Sequence, residues 1–126
     1  MSGFQPAGWH SVTPRIVTRD VAGLAAFLRA VFDARGECRA GAPAEITIGD
    51  SVIMISDGGD QREAWPAFLY VYVADADRAY ARAIELGARS IEAPLDTPYG
   101  DRRAMIQDSW GNSWQIATRK CAAGGS

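Results

Sequence analysis

Histidine is nearly absent. His10 is the only one in 126 residues, so two imidazoles and a carboxylate cannot meet on one metal within this chain. Cysteine is almost as scarce. Cys38 and Cys121 lie too far apart for a disulfide framework, which argues for a reduced, cytoplasmic setting, with Cys38 read as a small, partly buried side chain. No apolar run approaches the ~20 residues of a membrane span. The start, MSGFQPAGWH, lacks a basic segment followed by an apolar one, which argues against a secretory signal. Neither charge sign is in excess: the formal net charge is -2, so nothing invites nucleic acid or an anionic membrane. No Gly-x-Ser-x-Gly elbow is present for a Ser-His-Asp hydrolase, and no glycine-rich phosphate loop follows a strand.

What is present is an ordinary globular composition, 48% hydrophobic and 22% charged, in a chain long enough for one domain or two small coupled modules. Its most informative stretch is Tyr99–Ala117, YGDRRAMIQDSWGNSWQIA. Asp108-Ser109-Trp110-Gly111-Asn112 reads as a turn, because Gly and Asn tolerate positive φ and Asp bonds back to the backbone. Ser113–Thr118 then alternates polar and apolar, as a half-buried strand does.

The rest of the chain shows the same parts twice. Ser11–Thr18 reads as a strand. Asp20 caps a helix carrying Val21, Leu24, Phe27, Leu28, Val31 and Phe32, with Gly36 as its stop. Glu45–Ile48 and Ser51–Ser56 form a hairpin around Gly49-Asp50. The polar segment DGGDQREAWP, residues 57–66, is a linker. Then Phe68–Val73 is a strand, Asp75 caps a helix with Ala79, Ala83, Ile84 and Leu86, Gly87 closes it, and Ser90–Ala93 is a short strand before the Tyr99–Ala117 unit. The tail from Arg119 to Ser126 is expected to fray. Ile16-Val17-Thr18-Arg19-Asp20 lies on Val71-Tyr72-Val73-Ala74-Asp75, and Gly49-Asp50-Ser51-Val52 on Gly111-Asn112-Ser113-Trp114. This internal repeat predicts two similar modules, at about 9–57 and 67–118, in one α+β domain.

The Asp-capped helix entries at Asp20 and Asp75 and the YGDR…D-x-x-GN-x-W run resemble the vicinal oxygen chelate superfamily, the glyoxalase/bleomycin resistance protein/dioxygenase group. The resemblance spans roughly Gly8 to Thr118 and implies two βαβββ modules, eight strands in all, curled as a mixed sheet around a cleft. Metal enzymes of that family take one ligand from the first and one from the last strand of each module. Carried over by motif spacing and by the repeat, those positions are Thr13, Ile53, Phe68 and Gln115. Zinc, iron and manganese want imidazole or carboxylate, which none of these supplies. The resemblance thus points to a member without metal ligands, with no cofactor and no catalytic residues assigned. His10 is read as a polar strand-end residue.

With the four positions taken as inward, alternation turns Thr13, Arg15 and Val17 toward the cleft, with Phe68, Tyr70 and Tyr72 opposite. Ser51, Ile53 and Ile55 then face Ser113, Gln115 and Ala117. Leu69, Val71, Val73, Val52, Met54, Trp114 and Ile116 are left to pack under the helices. The row Phe68-Tyr70-Tyr72 offers stacking surface and hydroxyl handles, and Arg15 can take a carboxylate or stack on a ring. Tyr99 and Arg103 at the following turn complete the candidate set; Arg102 and Arg103 either rim the cleft or pair with surface carboxylates. The function implied is a homodimer that captures an aromatic antibiotic or metabolite without turnover. The alternatives are a lyase, isomerase or dioxygenase with an unconventional site, acting through Asp, Tyr or His10, and a structural or regulatory dimer.

Overall fold

Asp20 and Asp75 start the two helices as their side chains dictate: each carboxylate accepts the backbone N–H three residues on, at 3.0 Å from Gly23 and from Arg78. In the computed structural model, which describes residues 3–38, 41–58 and 63–120, these helices are α1, Val21–Phe32, and α2, Ala76–Glu85. Seven strands accompany them among the described residues: β1 (Arg15–Val17), β2 (Ala44–Ile48), β3 (Ser51–Ser56), β4 (Phe68–Tyr72), β5 (Arg89–Asp96), β6 (Asp101–Gln107) and β7 (Ser113–Arg119). They form two open mixed sheets, ordered β1-β3-β2 and β4-β7-β6-β5. The outer pairs β1–β3 and β4–β7 are parallel and the others antiparallel.

The tandem α+β plan is present, with one strand fewer than the eight expected. The reason lies between α1 and β2. Arg35 exchanges both backbone hydrogen bonds with Thr47, at 2.9 and 2.8 Å, where β5 lies in the second sheet. This one-residue remnant of a strand stops at Gly36, whose φ is 123° and whose missing Cβ would collide with the Glu45 carbonyl. Helix α1 ends earlier than the Gly36 stop predicted. Asp33 takes the left-handed conformation at φ 55°, which Asp tolerates, and closes the helix through its own N–H to Leu28. Cys38, expected to be partly buried, is exposed in this irregular stretch. Strand β1 is shorter and β5 longer than predicted; Pro94 is accommodated because β5 is an edge strand with irregular pairing. Residues 59–62 of the linker and 121–126 of the tail, with Cys121, lie outside the described residues. Arg119, assigned to the fraying tail, instead ends β7.

One core joins both modules. Ile16, Ile46, Ile53 and Ile55 pack under Leu24 and Leu28 of α1, and Ile106, Trp114 and Ile116 pack with Ala79 and Ala83 of α2. Phe32 meets Trp114 with ring centroids 5.3 Å apart, and Phe27 meets Trp110 edge-on at 5.8 Å. The turn between β6 and β7 is held by one buried carboxylate. Asp108 accepts from the backbone of Trp110 and Asn112, both at 2.9 Å, from Asn112 Nδ2 at 3.0 Å and from Trp114 Nε1 at 2.8 Å. Asn112 passes the restraint on, since its Oδ1 accepts the Ala67 N–H at 2.9 Å and so sets the start of β4.

Replacing Asp108 by Ala leaves the indole of buried Trp114 and the Asn112 amide without acceptors. Unsatisfied buried donors cost about 1–3 kcal/mol each, so urea unfolding should show a loss of about 3 kcal/mol or more. Exposed Ser109→Ala should change stability by less than about 0.5 kcal/mol. Equal effects of the two substitutions would show that the clamp is dispensable.

Candidate functional site: an aromatic wall over a buried carboxylate

The second sheet has one face under the helices and one open. Parallel pairing of Leu69 with Trp114 and Val71 with Ile116 puts those four on the core face. Phe68, Tyr70 and Tyr72 therefore stand on the other, with relative exposures of 64%, 37% and 54%. Register brings Ser113, Gln115 and Ala117 of β7 beside them, with Met105 and Arg103 of β6 next in line. Tyr70 and Tyr72 are neighbours, with centroids 5.4 Å apart and planes tilted by 57°.

Both phenols converge on Asp101, the first residue of β6, which is fully buried. Tyr70 donates to its Oδ2 at 2.6 Å and Tyr72 at 2.8 Å. Arg119 Nε lies 2.8 Å from Oδ1, as an ion pair without the alignment of a hydrogen bond. Farther out, Tyr99 touches Tyr70 hydroxyl to hydroxyl at 3.3 Å and accepts from Arg103 Nη1 at 2.9 Å. Arg103 Nε in turn holds Glu92 Oε1 at 3.0 Å. A carboxylate out of water is costly unless paired, and this one has two phenols and a guanidinium. The hydrogen bond from Tyr70 is the largest influence on Asp101 and, with Tyr72 and Arg119, holds its carboxyl below the usual range despite burial. Tyr70 moves the other way. Burial first, then donation to Asp101 and contact with Tyr99, push its phenol far above the ordinary tyrosine range, so it keeps its proton.

The predicted residues divide. Phe68, Tyr70, Tyr72, Tyr99, Arg103 and Gln115 share the open face or its rim. Arg102 points to the helix side and pairs with Asp77 at 3.0 Å and Asp96 at 3.4 Å. Arg15 lies on the open face of the first sheet and donates to Ser56 at 3.2 Å, not to the aromatic row. Thr13, half-buried, precedes β1, and His10 is exposed in the lead-in. Ile53 requires correction. It pairs with Ile46 on the core face, as Ile55 pairs with Ala44, while Val52 and Met54 take the open face assigned to Ile53 and Ile55. The sequence repeat aligns β3 with β7 one residue out of register, because two residues turn β2 into β3 and five turn β6 into β7, and a one-residue slip inverts a strand. Met54, opposite Arg15, is thus the counterpart of Gln115, opposite Tyr70. Ile53 still reaches a cavity of about 270 Å³ at the free edge of β4, lined also by Pro14, Ile48, Tyr70 and Tyr72.

With that correction the family's ligand positions hold Thr13, Met54, Phe68 and Gln115, a donor set that does not fit a transition metal. Among the described residues no group of three or more His, Cys, Asp or Glu side chains comes together to hold one. Sequence reasoning missed Asp101, Arg119 and Glu92. Its available signal was the Asp of the YGDR run, a carboxylate at the head of a strand bound for the open face.

Comparison with known proteins gives a concordant picture. The sequence model of the Glyoxalase/Bleomycin resistance protein/Dioxygenase superfamily matches residues 10–116. An uncharacterized protein of Mycobacterium tuberculosis is 26% identical over 123 residues, spanning 84% of this chain and 72% of that protein. Among solved structures, TioX from Micromonospora sp. ML1 has a TM-score of 0.73 at 21% identity, covering 87% of this chain and 98% of its own. A glyoxalase/bleomycin resistance protein/dioxygenase family enzyme from Burkholderia phytofirmans PsJN has a TM-score of 0.70 at 23% identity, covering 85% and 96%. These two likenesses show the fold alone.

The depressed carboxyl of Asp101 makes stability depend on acid. The contribution is present above the unfolded carboxylate value of about 3.9 and is lost as pH falls through the lower folded value. Asp101→Asn should therefore melt below the parent at pH 7, with the gap closing on acidification below about pH 4. A gap that stays constant from pH 7 to 2 would remove Asp101 as the ionised hub.

Proposed function

This chain belongs to the Glyoxalase/Bleomycin resistance protein/Dioxygenase superfamily, and on that premise we propose that it is a metal-free small-molecule-binding protein. Its ligand is a planar aromatic antibiotic or metabolite, captured on the Phe68-Tyr70-Tyr72 wall without turnover. The observation that carries this reading is the exposure of three aromatic rings in a row on a sheet whose other face packs against the core. Large apolar rings left in water on a face shaped by neighbouring polar groups mark a binding surface. The chemistry of the network supports binding over catalysis. Tyr70 holds its proton too tightly to serve as a base, and Asp101 is sealed beneath the rings it anchors.

The active form we propose is a two-fold homodimer with the pocket mouths near the interface. Trp65, 74% exposed, and Phe68 lie close in sequence at the junction of the two sheets, where Trp65 bridges to Val17. Among the described residues no helix is long and apolar enough to cross a membrane. A cytoplasmic setting is the one we propose, with Cys38 as a free thiol. Light scattering at micromolar concentration should give twice the chain mass; a monomer mass would refute the dimer.

The binding mode is tested by separating ring from hydroxyl. Phe68→Ala removes an exposed ring that anchors nothing, so affinity for a planar aromatic ligand should fall roughly tenfold while the melting temperature barely moves. Tyr70→Phe keeps the ring but takes a donor from buried Asp101, so it should reverse the pattern. Leu69→Ala, on the core face, should cost about 2 kcal/mol of stability with affinity preserved. Fluorescence titration against a panel of antibiotics and aromatic metabolites, paired with melting curves, supplies both readouts. A panel in which nothing binds the parent would sink the proposal.

A further inference from the structure

We infer that the ligand carries an anionic group at the edge of its ring system, and that Arg119 selects it. The inference rests on the aromatic-wall reading above and names the ligand class for that site. It follows from where the protons of the network go. Tyr70 and Tyr72 have one hydroxyl proton each, and both point at Oδ2 of Asp101. With the Tyr70 proton so used, the 3.3 Å contact with Tyr99 is donated by Tyr99, whose oxygen accepts from Arg103. All three phenolic protons are therefore committed. The rings offer a ligand their faces and their remaining lone pairs, but no donor.

The carboxylates are no more available. Asp101 is buried, and Glu92 has Oε1 on Arg103, so a ligand cation would compete with a guanidinium already in place. Arg119 differs. Its Nε faces Asp101, but among the described residues its two terminal nitrogens make only long contacts, 3.4 Å to the Tyr72 hydroxyl and 3.4 Å to the Tyr99 carbonyl. The side chain is 44% exposed. A guanidinium carries five N–H donors, more than these contacts use. It stands between Tyr72 and Tyr99, both half-exposed, with its charge held in place by Asp101. A flat ring lying on the wall would bring an edge carboxylate against that fork, the geometry in which guanidinium binds best.

Three probes with one ring system test this: 2-naphthoate, 2-naphthalenemethanol and 2-naphthylmethylammonium, titrated at fixed ionic strength. In the parent protein naphthoate should bind roughly tenfold or more tighter than the alcohol, and the ammonium weakest. Arg119→Gln should bring naphthoate to the level of the alcohol, so that the acid-to-alcohol affinity ratio measured within the variant falls to about one. Because Arg119 also neutralises Asp101, Arg119→Lys is measured beside it: a cation remains for Asp101, the outward fork is lost, and most of the preference should go with it. Melting curves identify the folded variants. Equal binding of acid and alcohol by the parent, or a preference that survives both substitutions, overturns the inference and leaves the aromatic wall standing. Failure of all three probes to bind overturns the wall and the inference together.

Discussion

The restraint on which the rest depends is the four-donor clamp at Asp108. One buried carboxylate gathers two backbone amides of its own turn, the Asn112 side chain and the Trp114 indole. Through Trp114 it reaches Phe32 and the shared core; through Asn112 it fixes the Ala67 amide, one residue before the aromatic row. The exposed wall is therefore positioned from behind by a buried polar cluster. The same turn ties the modules together, since Trp110 donates to Asp20 at 3.0 Å, the residue that caps α1. A carboxylate with this many donors is stable out of water only while all remain, which makes Asp108 and Asn112 of the turn intolerant of change for structural reasons alone.

On the open face a second buried carboxylate does a different task. Asp101 draws two tyrosine hydroxyls downward, turning side chains that would otherwise rotate freely in water into oriented stacking surfaces. In the capture proposed above, rings ordered beforehand lower the entropy cost of binding. The same attraction consumes their protons, which is why the recognition we infer falls to the guanidinium at the rim. Charge is balanced within the network: Asp101 with Arg119, Glu92 with Arg103.

The two modules have diverged unequally from one plan. Strand orders β1-β3-β2 and β4-β7-β6-β5 coincide once the Arg35–Thr47 bridge is counted as the missing strand. On corresponding open-face positions, the first module carries Arg15 and Met54 and the second Tyr70 and Gln115. The wall and its anchoring carboxylate belong to the second module alone, which also has the larger, four-stranded sheet.

The sequence by itself determined what short-range chemistry specifies. Aspartate caps placed both helix starts, glycine and asparagine marked the turns, and alternation from Phe68 to Tyr72 divided exposed rings from aliphatics packed against the core, because these depend on neighbours a few residues away. Alternation could not decide which face of β3 is buried. Ser51–Ser56 is apolar at four successive positions, so either parity reads as plausible, and only pairing with β2 and packing under α1 put Ile53 inside. Nor could it join Asp101 to Tyr70, Tyr72 and Arg119, residues 18 to 31 positions away along the chain from that carboxylate. Their meeting depends on β6 pairing with β7 and β7 with β4, and tertiary structure decided it, because a buried charge takes its partners from whatever the sheet brings within reach.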